Sequence, residues 1–327
     1  MKAIILGDFQ GVFPKRLKER LRKKDYDLII GVGDYGGINE FRPYIRDLFI
    51  RLKKGEKRIS PEEFFGKDKY KSMVKKDFKQ TKNVLKEINS LNKPFFSVFG
   101  NTDEDWYKHP IYKNKPKKEA LNFIKKLKNM SNITYGYKKF QDYNLIGFGG
   151  YMDIDAYFKK KTFKSEREKI AKKLKKHKKV GKIFFNLMER ANKKEGNRIF
   201  VFHYPPKGIF DIIKDKNNPM DGESAGVRYY SEAIKKYKPK LVLCGHMHEY
   251  SGMKKLYGVP VINPGDAGEG KYALIDIDDD TGKIRMKFSR WKIHATNYGT
   301  SNDKLLIISN TLNHSRIRYL LLLLFKL

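Results

Sequence analysis

Leu241-Val242-Leu243-Cys244-Gly245-His246-Met247-His248 decides how this chain is built. Leu241–Leu243 is a short apolar run of the kind that forms a strand covered on both faces. Gly245 permits a sharp turn and a close approach of backbone to a ligand. Alternate residues of an extended segment point to one side, so His246 and His248 can address the same crevice. Working outward, other apolar runs end in the same way. Ala3–Leu6 leads into Gly7-Asp8-Phe9-Gln10-Gly11, and Leu28–Val32 into Gly33-Asp34-Tyr35-Gly36-Gly37. Phe95–Phe99 leads into Gly100-Asn101-Thr102-Asp103, and Arg198–Phe202 into His203-Tyr204-Pro205-Pro206. Asn144–Phe148 and Val259–Ile262 are further strand-like runs.

Charged stretches with helical spacing lie between these runs. Pro61–Leu91, with Ser60 as N-cap before Pro61, and Lys117–Met130 are the clearest. Strand and helix in alternation predict an α/β architecture. Lys271–Asp278, the turn Asp279-Asp280-Thr281-Gly282 and Lys283–Arg290 read as a β-hairpin.

Loops at the carboxyl ends of strands in such a sheet converge on one crevice. Here they would gather Asp8, Gln10, Asp34, Asn101, His203, His246 and His248. Imidazole, carboxylate and amide donors without thiolate suit divalent cations rather than a structural zinc site. A carboxylate can bridge two ions about 3.5–4 Å apart, the arrangement two-metal hydrolases use on phosphorus esters. Taken singly, an Asp after a strand or a lone His is as readily a satisfied polar group. The order of five glycine- and histidine-bearing strand ends is what carries the reading.

Those motifs resemble the calcineurin-like metallophosphoesterases, whose pattern is D-x-H, G-D-x-x, G-N-x, a lone His and G-H-x-H, each after a strand. The resemblance runs from Met1 to about Arg290 and takes in Val261 to Gly265 and Tyr272–Asp278 as closing strands. It implies a four-layer α-β-β-α sandwich of two mixed β-sheets flanked by helices. It implies that Asp8, Gln10 and His248 serve one metal, that Asn101, His203 and His246 serve another, and that Asp34 bridges. Asp34, Asn101 and His203 would then act closest to the reacting atoms, and a hydroxide between the ions would attack a phosphoester, most readily a phosphodiester. Manganese is the expected ion, with Fe, Zn, Ni and Mg as alternatives. Two positions depart from the pattern. Gln10 stands where the first motif has His, and is read either as a neutral oxygen ligand or as a neighbour of the ligands. Thr102 stands where many members carry a His that protonates the leaving group. His109 is a substitute acid or, more simply, a surface loop residue.

Basic residues number 71 against 37 acidic ones, a formal charge of +34. Such a surface favours phosphate-bearing partners, nucleic acid among them, although lysine in excess is also an ordinary solvated surface. Lys159–Lys182, with 13 basic and 2 acidic residues, reads as a solvated helix projecting from the body. Tyr204, Tyr250 and Trp106 are candidates to stack on a base. The lone Cys244 excludes a disulfide framework. No run is long enough to span a bilayer, so a cytoplasmic protein with no membrane partner is expected. The domain is read as residues 1–290 with charged helical insertions near 38–92 and 151–196, followed by a tail, 291–327, of uncertain order. The alternative function is a non-catalytic member that binds phosphate or nucleic acid through a degenerate metal site.

Overall fold

The computed structural model describes residues 1–111, 114–151 and 167–289. The tail from 291 and the segment 152–166 lie outside the described residues.

Among the described residues, twelve strands form two six-stranded sheets. The first sheet holds β1 (Lys2–Leu6), β2 (Leu28–Gly31), β3 (Phe95–Ser97), β4 (Met130–Asn132), β11 (Ala273–Ile277) and β12 (Ile284–Phe288), in the order β12-β11-β1-β2-β3-β4. The second holds β5 (Tyr135–Phe140), β6 (Tyr143–Phe148), β7 (Asn197–Phe202), β8 (Leu241–Leu243), β9 (Gly252–Leu256) and β10 (Val259–Asn263), in the order β5-β6-β7-β8-β10-β9. Both sheets are mixed. β1 runs parallel to β2 and antiparallel to β11, and β10 runs parallel to β8 and antiparallel to β9. The predicted terminal hairpin is present as β11 and β12.

The two-residue period of each strand divides its side chains between two cores. Ala3, Ile5, Leu28 and Ile30 face Leu145, Ile199, Val201, Leu241 and Leu243, filling the space between the sheets. Ile4, Leu6 and Ile29 face outward, onto Leu17 and Leu21 of α1 (Lys15–Arg22), Val84, Leu85 and Ile88 of α4 (Lys67–Asn89), and Ala120 of α5 (Lys118–Lys126). On the other flank, Phe148, Phe200 and Phe202 pack on Val180, Phe184, Leu187 and Met188 of α6 (Arg167–Asn192) and on Tyr230, Ala233 and Ile234 of α7 (Arg228–Tyr237). The result is the four-layer sandwich expected from the sequence.

One helical expectation is refined and another corrected. Pro61–Leu91 is helical, as its spacing predicts, but is not one continuous helix. α3 (Pro61–Phe65) stops at Gly66, whose φ of +83° is left-handed, and α4 starts afresh. Ser60 does cap α3, accepting from Glu63 N while the Glu63 side chain accepts from Ser60 N. Nor does the lysine-rich segment project along its whole length. From Leu174 onward α6 lies against the body: Leu174 packs near Leu52, the His177 ring is 5.2 Å from Tyr229, and Val180 is buried. Its seam thickens beyond Lys182, toward Phe184 and Met188. No helix among the described residues is long and apolar enough to cross a membrane.

Candidate metal centre

Strand ends of both sheets meet at one edge. The loop after β1 is tied to the loop after β2 by Asp8 N donating to Gly33 O (2.9 Å) and Phe9 N to Asp34 O (2.7 Å). The loop after β8 is tied to that after β7 by Gly245 N donating to His203 O (2.9 Å). His246 N donates to both carboxylate oxygens of Asp8, at 2.9 and 3.1 Å. Asp8, Gln10, Asp34 and His246 all have positive φ, between 49° and 68°. Four non-glycine residues in this sparsely populated region, together at one edge, mark a backbone held in place by its surroundings.

Two sets of side chains approach closely enough to grip an ion. In Asp34, His203 and His246, and again in Asp8, Asp34 and His248, one ligand atom from each residue lies within 4.8 Å of the others. Asp34 belongs to both. His203 Nε2 is 3.4 Å from Asp34 Oδ1 and 2.9 Å from Asn101 Oδ1. His203 Nδ1 faces Val32 O at 2.8 Å, which fixes the ring with Nε2 toward the crevice. His248 Nε2 is 3.6 Å from Asp8 Oδ1. The glycines leave room for these groups. A Cβ on Gly100 would lie 2.0 Å from Asp34 Oδ1, and one on Gly245 would lie 2.8 Å from Asp8 Oδ2. Carboxylates and imidazoles in two overlapping triads fit two divalent ions, with oxygen and nitrogen donors and no thiolate.

The charges show what such ions would relieve. Burial, with His203 and His248 adding to it, pushes His246 well below the ordinary imidazole range. Burial also opposes a charge on His248, but Asp8 outweighs it and holds that ring up to about 9. Burial and the neighbouring Asp34 carry Asp103 up to about 7, and burial carries Asp266 to about 6.

A protein of known structure shares the fold. A model of the calcineurin superfamily of metallophosphoesterases matches residues 2–286. The chain belongs to that superfamily. A crystal structure 19% identical in sequence superposes with a TM-score of 0.55, over 88% of this chain and 98% of the other. A dimetal phosphatase from Danio rerio is 10% identical (TM-score 0.48, 88% and 95% of the two chains), and a protein of Thermus thermophilus is 15% identical (TM-score 0.45, 88% and 97%). No curated protein matches the chain in sequence.

All seven residues singled out from the sequence come together at this edge, in two different relations to the centre. Asp8, Asp34, His203, His246 and His248 form the two triads, with Asn101 against His203. Gln10 lies beside them and spends its amide on neighbours. Its Nε2 donates to Asp266 Oδ2 (2.6 Å) and lies 2.8 Å from His248 Nδ1, while its Oε1 accepts from Arg42 Nη2 (2.5 Å).

Several other expectations are corrected. His109 is no surface residue: it is buried, Ile111 N donates to its Nδ1 (3.0 Å), and burial pushes it down to about 4, so it is neutral near pH 7 and a poor reserve of protons. Trp106 is buried and stacked on Phe78 at 4.9 Å. Tyr204 is buried with its ring 4.3 Å from that of His246, where it packs a site residue rather than a base. Tyr250 is different: its hydroxyl donates to Ile212 O (2.7 Å) while its ring is half-buried, which leaves the stacking expected of it untouched.

Sequence reasoning gave no role to Asp103, Asp266 or Arg42. Asp103 Oδ2 accepts from Asp34 N (2.9 Å) and Gly100 N (2.8 Å), and its Oδ1 from Tyr35 N and Gly36 N (both 3.0 Å). One buried carboxylate thereby knits the loop carrying Asp34 to the loop carrying Asn101. Its signal was an acid two residues after Asn101, inside a glycine-led strand end.

Proposed function

We propose that this chain is a metal-dependent phosphoesterase acting on phosphodiesters through a dinuclear site. The observation that carries the reading is Asp34's membership of both ligand triads, since a shared carboxylate is what spaces two ions for one phosphorus centre. Asp8 and His248 would hold one ion, and Asn101, His203 and His246 the other, with Asp34 between. Bound there, the ions supply Lewis acidity and a water that loses its proton near neutral pH.

The chain's own residues prepare that chemistry. His203 is oriented by Val32 O, and Asp8 by the His246 backbone. Asp103 keeps Asp34 in register with Asn101, so the geometry is set before substrate arrives. Thr102 occupies the position after Asn101, and its backbone N–H donates to Asp34 Oδ1 (3.0 Å). No imidazole stands there to protonate a departing alkoxide, which favours substrates with good leaving groups. The +34 charge favours a polyanionic substrate such as a nucleic acid.

Thr102 is also the observation that favours the second reading, a phosphate-binding member without turnover. The two separate in one assay. Purified protein loaded with Mn²⁺ should hydrolyse bis(p-nitrophenyl) phosphate, lose that activity to chelator and recover it with metal. Loaded protein that binds phosphate but turns over neither activated diesters nor monoesters would be the binder. On nucleic acid, affinity should fall steeply with salt, and salt-independent binding would remove the polyanion from the proposal.

A further inference from the structure

Between β2 and β3 the chain inserts α2 (Arg42–Lys54) ahead of α3 and α4. Its first residue, Arg42, touches Gln10 beside the metal centre. Further along, Leu48, Phe49 and Leu52 pack with Ile213 and Met220, from the segment after β7, and with Leu174 of α6. α2 thus bridges from the loop after β1, on the first sheet, to the segment that follows His203, on the second.

Two charged neighbours, Arg42 and Asp266, set which way the Gln10 amide faces. Oε1 accepts from a guanidinium, and Nε2 has the Asp266 carboxylate on one side and His248 Nδ1 on the other. Reversing it would set NH₂ against Arg42 and an oxygen against Asp266. The oxygen that could have ligated a metal therefore already faces a permanent positive charge, which a divalent cation would oppose at such range.

Arg42 spends one N–H of its five on that bond. It is exposed, and among the described residues it has no carboxylate partner. A rigid planar fork without an anion, held within two hydrogen-bonding steps of His248, matches the oxygens of a phosphoryl group. We propose that Arg42 is a substrate-binding residue, its guanidinium clamping a phosphoryl oxygen of the ester, and that Gln10 braces it instead of ligating metal. The proposal rests on the phosphoesterase reading for the nature of the ligand. It places the contact on an insertion of this chain, so α2 takes part in selecting the substrate.

The test uses full-length, Mn²⁺-loaded protein and inorganic phosphate, titrated by calorimetry, with steady-state hydrolysis of bis(p-nitrophenyl) phosphate in parallel. Arg42→Ala should weaken phosphate binding on the order of 10- to 100-fold and raise KM more than it lowers kcat. Its two bound ions should be retained, and millimolar guanidinium ion should restore part of the loss. Arg42→Lys keeps the charge without the fork and should fall between. Phosphate affinity and KM within twofold of wild type in Arg42→Ala would overturn the clamp. Gln10→Ala should keep two ions per chain while loosening phosphate, whereas loss of one ion would show Gln10 to be a ligand and overturn the bracing role. If wild type hydrolyses nothing, the phosphoesterase reading falls, and the phosphate titration still decides Arg42.

Discussion

Gly100→Ala is the sharpest small perturbation available. The added Cβ would sit 2.0 Å from Asp34 Oδ1, 2.6 Å from Asp34 N and 2.7 Å from His203 Cε1. Ordinary contact needs about 3.5 Å, so the Asp34 carboxylate has to retreat by more than about 1 Å. The neighbour at 2.6 Å is backbone, which Asp103 holds by its own hydrogen bond, so bending a side-chain tip does not relieve the clash. Overpacking of this kind costs about 1–3 kcal/mol, which lowers Tm by roughly 2–10 °C. The functional loss should be larger than the loss of stability. Displacing a shared ligand by about 1 Å costs about 100-fold in rate, and both ions depend on Asp34. The assays are differential scanning calorimetry, metal content after equilibrium dialysis, and Mn²⁺-dependent hydrolysis of bis(p-nitrophenyl) phosphate. A folded Gly100→Ala protein that binds two ions with wild-type affinity and turns over within twofold of wild type would refute the reasoning.

His246→Ala should remove one of the two ions and abolish diester hydrolysis while the far-ultraviolet circular dichroism is unchanged; full activity would remove His246 from the centre. Gly66→Ala meets no atom within 4 Å, so only its φ of +83° is strained; it should cost about 1–3 kcal/mol in urea unfolding and leave kcat unchanged. Phe184→Ala opens a hole among Phe148, Phe202 and Tyr230 and should cost about 3–5 kcal/mol; a cost under 1 kcal/mol would mean that α6 does not carry the second flank. Burial depresses the folded-state value of His109 to about 4, so its contribution to stability is present above its unfolded value of about 6.5 and is lost as pH falls toward 4. The stability gap between wild type and His109→Gln should therefore narrow by about 2 kcal/mol between pH 7 and pH 5, and a gap that stays constant would show the imidazole to be hydrated.

The strands next to the centre were legible because burial on both faces leaves uninterrupted apolar runs, as in Ile4–Leu6 and Leu241–Leu243, and because each ends in glycine and a donor. β5 and β9 escaped notice for the opposite reason. They are the outer strands of the second sheet, half exposed and carrying Lys138, Lys139, Lys254 and Lys255, a pattern that protects a sheet edge and hides its period. β4, three residues with none fully buried, gave no apolar run at all. The break at Gly66 was visible as a glycine, but the helical spacing on either side masked it. Within the centre, the motif residues could be read one by one, whereas their supports could not. Asp103 organises four backbone N–H groups, and Arg42 comes from a separate insertion. A single sequence does not show which acid or which arginine the topology will bring to the edge.

The central claim is that Asp34 is shared between two metal ions. Its most direct test is a count of Mn²⁺ per chain, by mass spectrometry after equilibrium dialysis, in wild type and Asp34→Ala. The account predicts two ions in wild type and at most one, weakly held, in the variant. One ion or none in wild type, or two in Asp34→Ala, would contradict it.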